Sequence, residues 1–275
     1  MASIGNIIFG SMIILIFVMS GFIILLLAIA FSGGQGFLRA TNRSPVGNLR
    51  QDVVLDCSFS PKQDSQGRSG DVSVTWKKVG LTGVVYRYQN RAPDLVDQNP
   101  TFKDRTQLFP NALASGNASL LLQRVREQDQ GVYQCIVSAP SGKGSINIHL
   151  WVAAYSAPKF KQVGTNLTAE AQRWFPKPNA AWADHTGRAL NSSTQFFNNS
   201  AGIFRVMSTL LEPAHRDETY TLVISNHLVI AISEATLTGD SDVPVRTDFT
   251  FNTASPRLLT SCLAPTLLSF CLLLT

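Results

Sequence analysis

Charge is missing from both ends of this chain. No Asp, Glu, Lys or Arg occurs in residues 1–38 or 258–275, so the 23 Lys and Arg and the 18 Asp and Glu all fall between Arg39 and Arg257. Charged residues make up 15% of the chain, against about 25% in a typical soluble domain. Two uncharged, apolar ends exclude a plain cytosolic enzyme. Runs of Lys or Arg are also missing, and the formal charge of +5 is spread along the middle, which leaves nucleic-acid binding without support. There are four Cys and four His, and no HExxH, CxxC, GxSxG or P-loop pattern. The usual building sets for metal sites, nucleophile elbows and phosphate cradles are therefore absent. His149, His185, His215 and His227 are scattered, and Asp184-His185 has no Ser or Cys nucleophile at motif spacing. No catalytic residue, metal ligand, cofactor or small-molecule substrate is expected. Apolar residues are too plentiful for disorder.

The ends carry membrane addresses. Ile7–Phe31 is almost unbroken apolar sequence, longer than the 7–15 residues of a usual signal-peptide core and close to the ~20 of a spanning helix. Ala28-Ile29-Ala30 supplies a small-x-small cleavage pattern. Residues 1–30 are read as a long signal peptide, with an uncleaved anchor as the alternative. At the other end, 258–275 is an apolar segment of 18 residues, about 27 Å long as a helix against a hydrocarbon core of about 30 Å. Small residues precede it, so a lipid-anchor signal and a minimal membrane helix both stand as readings. Either one holds the protein at the external side of the plasma membrane.

Two of the four Cys lie in that tail; Cys57 and Cys135 are the pair in the charged middle. In an exported chain such a pair is normally a disulfide. Asn42, Asn117, Asn166, Asn191 and Asn198 each open an Asn-x-Ser/Thr site, which fits a glycosylated surface.

Residues 38–152 read as one all-β domain. Val53–Phe59 places Val53, Leu55, Cys57 and Phe59 on one face by period-2 alternation, and Val72–Lys77 does the same for Val72, Val74 and Trp76. The decisive motif is Asp129-Gln130-Gly131-Val132-Tyr133-Gln134-Cys135. A Tyr two residues before the second Cys fits the tyrosine corner, with Gly131 allowing the close approach and Trp76 packed on the bridge. Cys, Trp and DxGxYxC in that order describe an immunoglobulin sandwich. The 78 residues between the Cys leave room for the extra strands of a variable-type domain, with Gly80–Asn90 supplying one. Arg105 resembles the variable-type Arg that pairs with the corner Asp, here Asp129; a solvated surface pair is the other reading.

Residues 155–240 repeat the logic as a constant-type domain. A strand, a proline-bearing turn and a Trp strand run from Leu167 to Trp182, and Tyr220 sits in a second corner. Ala169 and Leu222 occupy the positions where the Cys pair would stand. A disulfide-free sandwich is expected there, less stable than the first, followed by a stalk over 241–257. The expected architecture is all-β, two tandem immunoglobulin-like sandwiches between a signal segment and a hydrophobic anchor.

These features, together with Gly116-Asn117-Ala118-Ser119-Leu120, Gly142-Lys143-Gly144 and Arg173-Trp174-Phe175-Pro176, resemble the B-seven/butyrophilin group of T-cell co-signalling ligands. The resemblance covers most of the chain. It implies a surface ligand that engages a receptor on T cells and dampens activation, proliferation and cytokine output. The missing Cys pair departs from the family pattern. A co-stimulatory ligand of the same family and a homophilic adhesion protein are the alternatives. With Cys135 inward, Gln134 and Ile136 point outward; with Trp76 inward, Thr75 and Lys77 do likewise. Tyr86 and Tyr88 share one face of the next strand, either outward or in the core. Thr75, Lys77, Tyr86, Tyr88, Gln134 and Ile136 are accordingly expected on or near the receptor-binding sheet.

Overall fold

The computed structural model describes residues 12–13, 15–24, 37–61, 71–238 and 243–252. Those described between 12 and 24 are helical, and among the described residues no helix is long and apolar enough to cross a membrane. The rest of the expected signal segment, the loop over 62–70 and the tail over 258–275 lie outside the described residues.

Among the described residues eleven strands build the first sandwich: β1 (Leu38–Arg39), β2 (Val46–Asn48), β3 (Val53–Leu55), β4 (Ser58–Phe59), β5 (Ser73–Lys78), β6 (Tyr86–Gln89), β7 (Ala92–Pro93), β8 (Thr106–Leu108), β9 (Leu120–Leu122), β10 (Gly131–Ala139) and β11 (Gly142–Ala153). One sheet runs β2-β11-β10-β5-β6-β7, and opposite it lie β3-β9-β8 and the pair β1-β4. Alternation does the folding: Val74 and Trp76, Tyr133, Cys135 and Val137, and Ile146, Ile148 and Leu150 all enter one core from successive strands. The strand expected over 53–59 is divided in two. The interruption falls at Asp56, whose carboxylate accepts from the Thr41 amide and the Ser119 hydroxyl, while the Cys57 amide donates to that same hydroxyl at 3.1 Å. A side chain thus takes the Cys57 amide there while the Cys57 carbonyl still accepts the Ala118 amide at 2.8 Å, and Leu55, Cys57 and Phe59 keep their shared buried face.

The second sandwich contains β12 (Lys159–Val163), β13 (Asn166–Trp174), β14 (Asn179–Asp184), β15 (Ala189–Leu190), β16 (Ser192–Asn198), β17 (Phe204–Leu210), β18 (Thr219–Ser225), β19 (Val229–Thr236) and β20 (Val245–Phe251). Its sheets are β12-β13-β17-β16 and β15-β14-β18-β19-β20. Trp182, Leu222 and Ala169 lie together in its core, all nearly fully buried. Tyr220 is buried too; its hydroxyl accepts the His215 amide at 3.0 Å and donates to Glu218 at 2.6 Å. Asp184 caps the hairpin from β14 to β15, accepting from Thr186 and Arg188, which accounts for it without chemistry.

The segment expected as a stalk over 241–257 contains β20, paired in antiparallel register with all but the last residue of β19, from Val229↔Phe251 to Ala235↔Val245. The physical reason is in the alternation of Val245, Thr247, Phe249 and Phe251. Phe249 packs against the second core, and the Thr247 hydroxyl lies 3.0 Å from that of fully buried Ser233.

The two sandwiches meet closely. Asn48 bonds both the amide and the carbonyl of Tyr155, and Ala154 and Phe175 exchange backbone bonds of 2.8 and 3.0 Å. The Arg173 guanidinium reaches back to the Leu49 carbonyl. Val46 and Trp151 of the first sandwich pack on the core of the second.

Candidate receptor-binding face

The frame that holds this face is the covalent and ionic core behind it. A disulfide joins Cys57 to Cys135. Trp76 stands directly across from Cys135 in register, and its indole N–H donates to the Ala118 carbonyl at 3.0 Å. The Tyr133 hydroxyl donates to the Asp129 carbonyl at 2.7 Å, which is the tyrosine corner, and burial pushes its phenol well above the ordinary tyrosine range. Gly131 has φ +142°, and a Cβ there would meet Lys78 Cε at 3.0 Å. Lys78 lies over the Tyr133 ring, 5.6 Å from its centroid, with burial lowering its pKa.

Arg105 and Asp129 are no surface pair. Their side chains are 1% and 2% exposed, and the guanidinium donates to both carboxylate oxygens at 2.7–2.9 Å. Burial works against the Arg105 charge and the Asp129 carboxylate favours it. Asp129 also accepts the Arg126 amide. One carboxylate thus ties the start of β8 to the turn that launches β10.

Outward positions follow from register. Cys135 faces Trp76, so Gln134 faces Lys77 and Ile136 faces Thr75, and these four point away from the core. On the other side Gln134 faces Asn147 and Ile136 faces Ser145. Lys77, Asn147 and Ser145 are exposed; Thr75, Gln134 and Ile136 are half-buried. The structure brings these six together on one sheet face.

Tyr86 and Tyr88 are elsewhere. Tyr86 is paired with Trp76 and Tyr88 with Val74, so both point inward; Tyr86 is 5% exposed and Tyr88 packs on the core. This corrects the expectation for that pair. The outward residues of β6 are Arg87, opposite Thr75, and Gln89; the Arg87 guanidinium donates to Asp94 at 3.1 Å and Asp97 at 3.0 Å, and the Gln89 amide donates to the same Asp94 carboxylate. Arg87 is the residue that inspection of the sequence passes over, and its signal is its place between two inward aromatics. The result is a mostly polar face with Ile136 as an aliphatic centre and a cation at Lys77, suited to a protein surface rather than a small molecule.

None of the five sequons lies on that sheet. Asn42 is exposed between β1 and β2. Asn117 is half-buried and accepts the Ser119 amide. Asn166, Asn191 and Asn198 are exposed at the ends of β13 and β16 in the second sandwich. Among the described residues no group of three or more His, Cys, Asp and Glu is arranged to hold a metal ion.

Known proteins resemble the chain along most of its length. The immunoglobulin V-set domain family matches residues 40–152, and the family described as butyrophilin subfamily 3 member A2-like, Ig-C domain, matches 155–231. V-set domain-containing T-cell activation inhibitor 1 of Rattus norvegicus is 32% identical over 264 residues, spanning 93% of this chain and 92% of that protein. Its Homo sapiens namesake is 30% identical over 246 residues, 86% of each. Among solved structures, the human B7-H4 IgV-like domain is 30% identical, covering 42% of this chain and 95% of its own, with a TM-score of 0.38.

Proposed function

The chain belongs to the family of V-set domain-containing T-cell activation inhibitor 1 proteins, and from that membership we propose that it is a cell-surface ligand that binds a receptor on T cells and lowers their activation, proliferation and cytokine output. The observation that carries this reading is the 32% identity across 92% of a relative named for T-cell inhibition. The site supports it: the face built around Ile136 and Lys77 is open, sequon-free and backed by a disulfide-braced core. A disulfide in the first domain also suits an oxidising, extracellular compartment. In this reading residues 1–30 direct export, 38–152 and 155–240 are the two immunoglobulin domains, and 258–275 holds the protein at the outer face of the plasma membrane. The receptor is a protein; neither nucleic acid nor a small molecule enters.

The test displays the full chain on cells presenting a T-cell stimulus. Proliferation and cytokine release fall below those with stimulus cells lacking it. Increased proliferation would instead identify a co-stimulatory ligand. Clustering of the displaying cells with one another, with no T-cell effect, would identify an adhesion protein.

A further inference from the structure

We propose that the open part of the β11 edge, from Lys143 to Asn147, is a docking slot for an extended acidic segment of a partner protein, which adds a strand to the six-stranded sheet. The proposal goes beyond the ligand reading above and stands on its own geometry. β2 pairs with β11 only at Trp151, Val152 and Ala153. The His149 amide donates to the Arg43 carbonyl and the Trp151 amide to the Pro45 carbonyl, so these residues turn their backbone groups to the β2 side. In an antiparallel ladder that direction alternates along the strand. Lys143, Ser145 and Asn147 therefore present their amides and carbonyls to the same edge, where among the described residues these groups have no partner.

The course of the chain before β2 explains the open edge. β1 pairs with β4 of the opposite sheet, Leu38 facing Phe59, and the chain joins β11 only at Arg43. Between them lies a cavity of about 480 Å³ lined by Phe37, Leu38, Arg43 and residues 143–147. Its core side is apolar. Cβ atoms at Gly142 or Gly144 would stand 3.1 Å from the Phe37 ring, so the two glycines are what lets that ring close over the strand. Its rim is cationic: Arg43 and Lys143 are exposed, the lining includes no acidic residue, and neither cation has an ion-pair partner among the described residues.

Those cations choose the occupant. If a second copy paired antiparallel about Ser145, its Asn147 would face Lys143 and bring its Arg43 toward that lysine, and the like charges disfavour this self-pairing. A partner strand with acidic residues opposite Lys143 and Asn147 meets attraction at both ends. Its intervening side chains point to the other face, toward Phe37, Leu38 and Ile146, and are apolar. The slot thus recognises alternation of acidic and apolar residues over about 17 Å of extended chain.

The test displays the full chain on cells and titrates a fluorescein-labelled peptide of alternating Asp and Val. Saturable binding is expected, weakened at least about tenfold by R43E/K143E and likewise by S145P, whose ring replaces an edge-facing amide and spares the β10 ladder. The same peptide N-methylated at its Asp residues, and one of alternating Lys and Val, are expected not to bind. Failure of the Asp-Val peptide to bind wild type overturns the slot. Equal binding by the N-methylated peptide also overturns it, because charge alone would then suffice. Undiminished binding by R43E/K143E overturns it too, and since both side chains are exposed this variant keeps the test decisive if S145P unfolds the domain. Binding confined to N42Q, which removes the sequon beside Arg43, would show an edge covered by sugar and overturn the docking role. Wild-type chains that cross-link to one another through this edge, with no peptide bound, would make the occupant a second copy and overturn the acidic partner.

Discussion

Trp76 of the first sandwich stands in register with Cys135, and Trp182 of the second stands in register with Leu222. The two indoles occupy the same place in two copies of one architecture, yet their surroundings are bound differently. The first has a disulfide, and its indole N–H donates to a backbone carbonyl. The second has Ala169 and Leu222 in place of the sulfurs, and its indole donates at 2.8 Å to Ser208, a fully buried serine opposite Ala169 that also contacts Thr194 at 2.8 Å. The first sandwich adds the buried Arg105–Asp129 pair; the second adds a fifth strand on its Trp-bearing sheet. A sandwich can therefore lose its staple when hydroxyls and apolar contacts take over the same volume. What it loses is the constraint on its unfolded state, worth about 4–5 kcal/mol in the chain-entropy model for a loop as long as that between Cys57 and Cys135.

The contrast breaks most sharply at the ion pair. Arg105→Ala leaves the Asp129 carboxylate buried and unpaired, and is expected to cost the first domain about 3–5 kcal/mol. Denaturant unfolding should show that loss in the transition of the first domain, with that of the second domain unmoved; a change below about 1 kcal/mol would place the pair among weak surface bridges. The complementary change restores what the second domain lacks. A169C/L222C is expected to form a disulfide and raise that domain's stability by about 2–4 kcal/mol, read as a shift of its transition that a reductant reverses.

The smallest effect is acidic. Both carboxylates lie in the second domain: Asp184 is held well below the usual carboxylate range, first by the Thr186 hydroxyl and then by Arg188, and Glu170 is lowered, first by Arg205. A carboxylate depressed by folding adds stability above its unfolded pKa and loses it as pH falls through the folded one. The second domain should therefore weaken as pH drops below about 4, and Asp184→Asn should flatten that acid limb slightly in melting curves. An unchanged acid limb would show that these exposed bonds contribute nothing.

How much of this is legible in the sequence differs by element. Cys57, Trp76, Tyr133 and Cys135 are readable because each is tied to the others by fixed spacing, and Arg105 is readable through Asp129. Burial of that pair is not readable, since it depends on where β8 packs. Tyr86 and Tyr88 show why alternation alone falls short. Period 2 groups them on one face, but the phase comes from the turn between β5 and β6, which sets Tyr86 opposite Trp76. β20 carries a strand pattern in Val245, Thr247, Phe249 and Phe251. Its interleaved Arg246, Asp248 and Thr250, and its place just before an apolar tail, make it read as a leash until the buried Ser233 hydroxyl supplies a partner.

The account depends on the outer face of the six-stranded sheet being what T cells meet. The direct measurement displays K77E/I136D and, as control, K161E on the second domain at matched surface levels, and reads T-cell proliferation. The double variant is expected to lose most of the suppression while K161E keeps it, with both retaining the Cys57–Cys135 disulfide. Undiminished suppression by a correctly folded K77E/I136D would contradict the account.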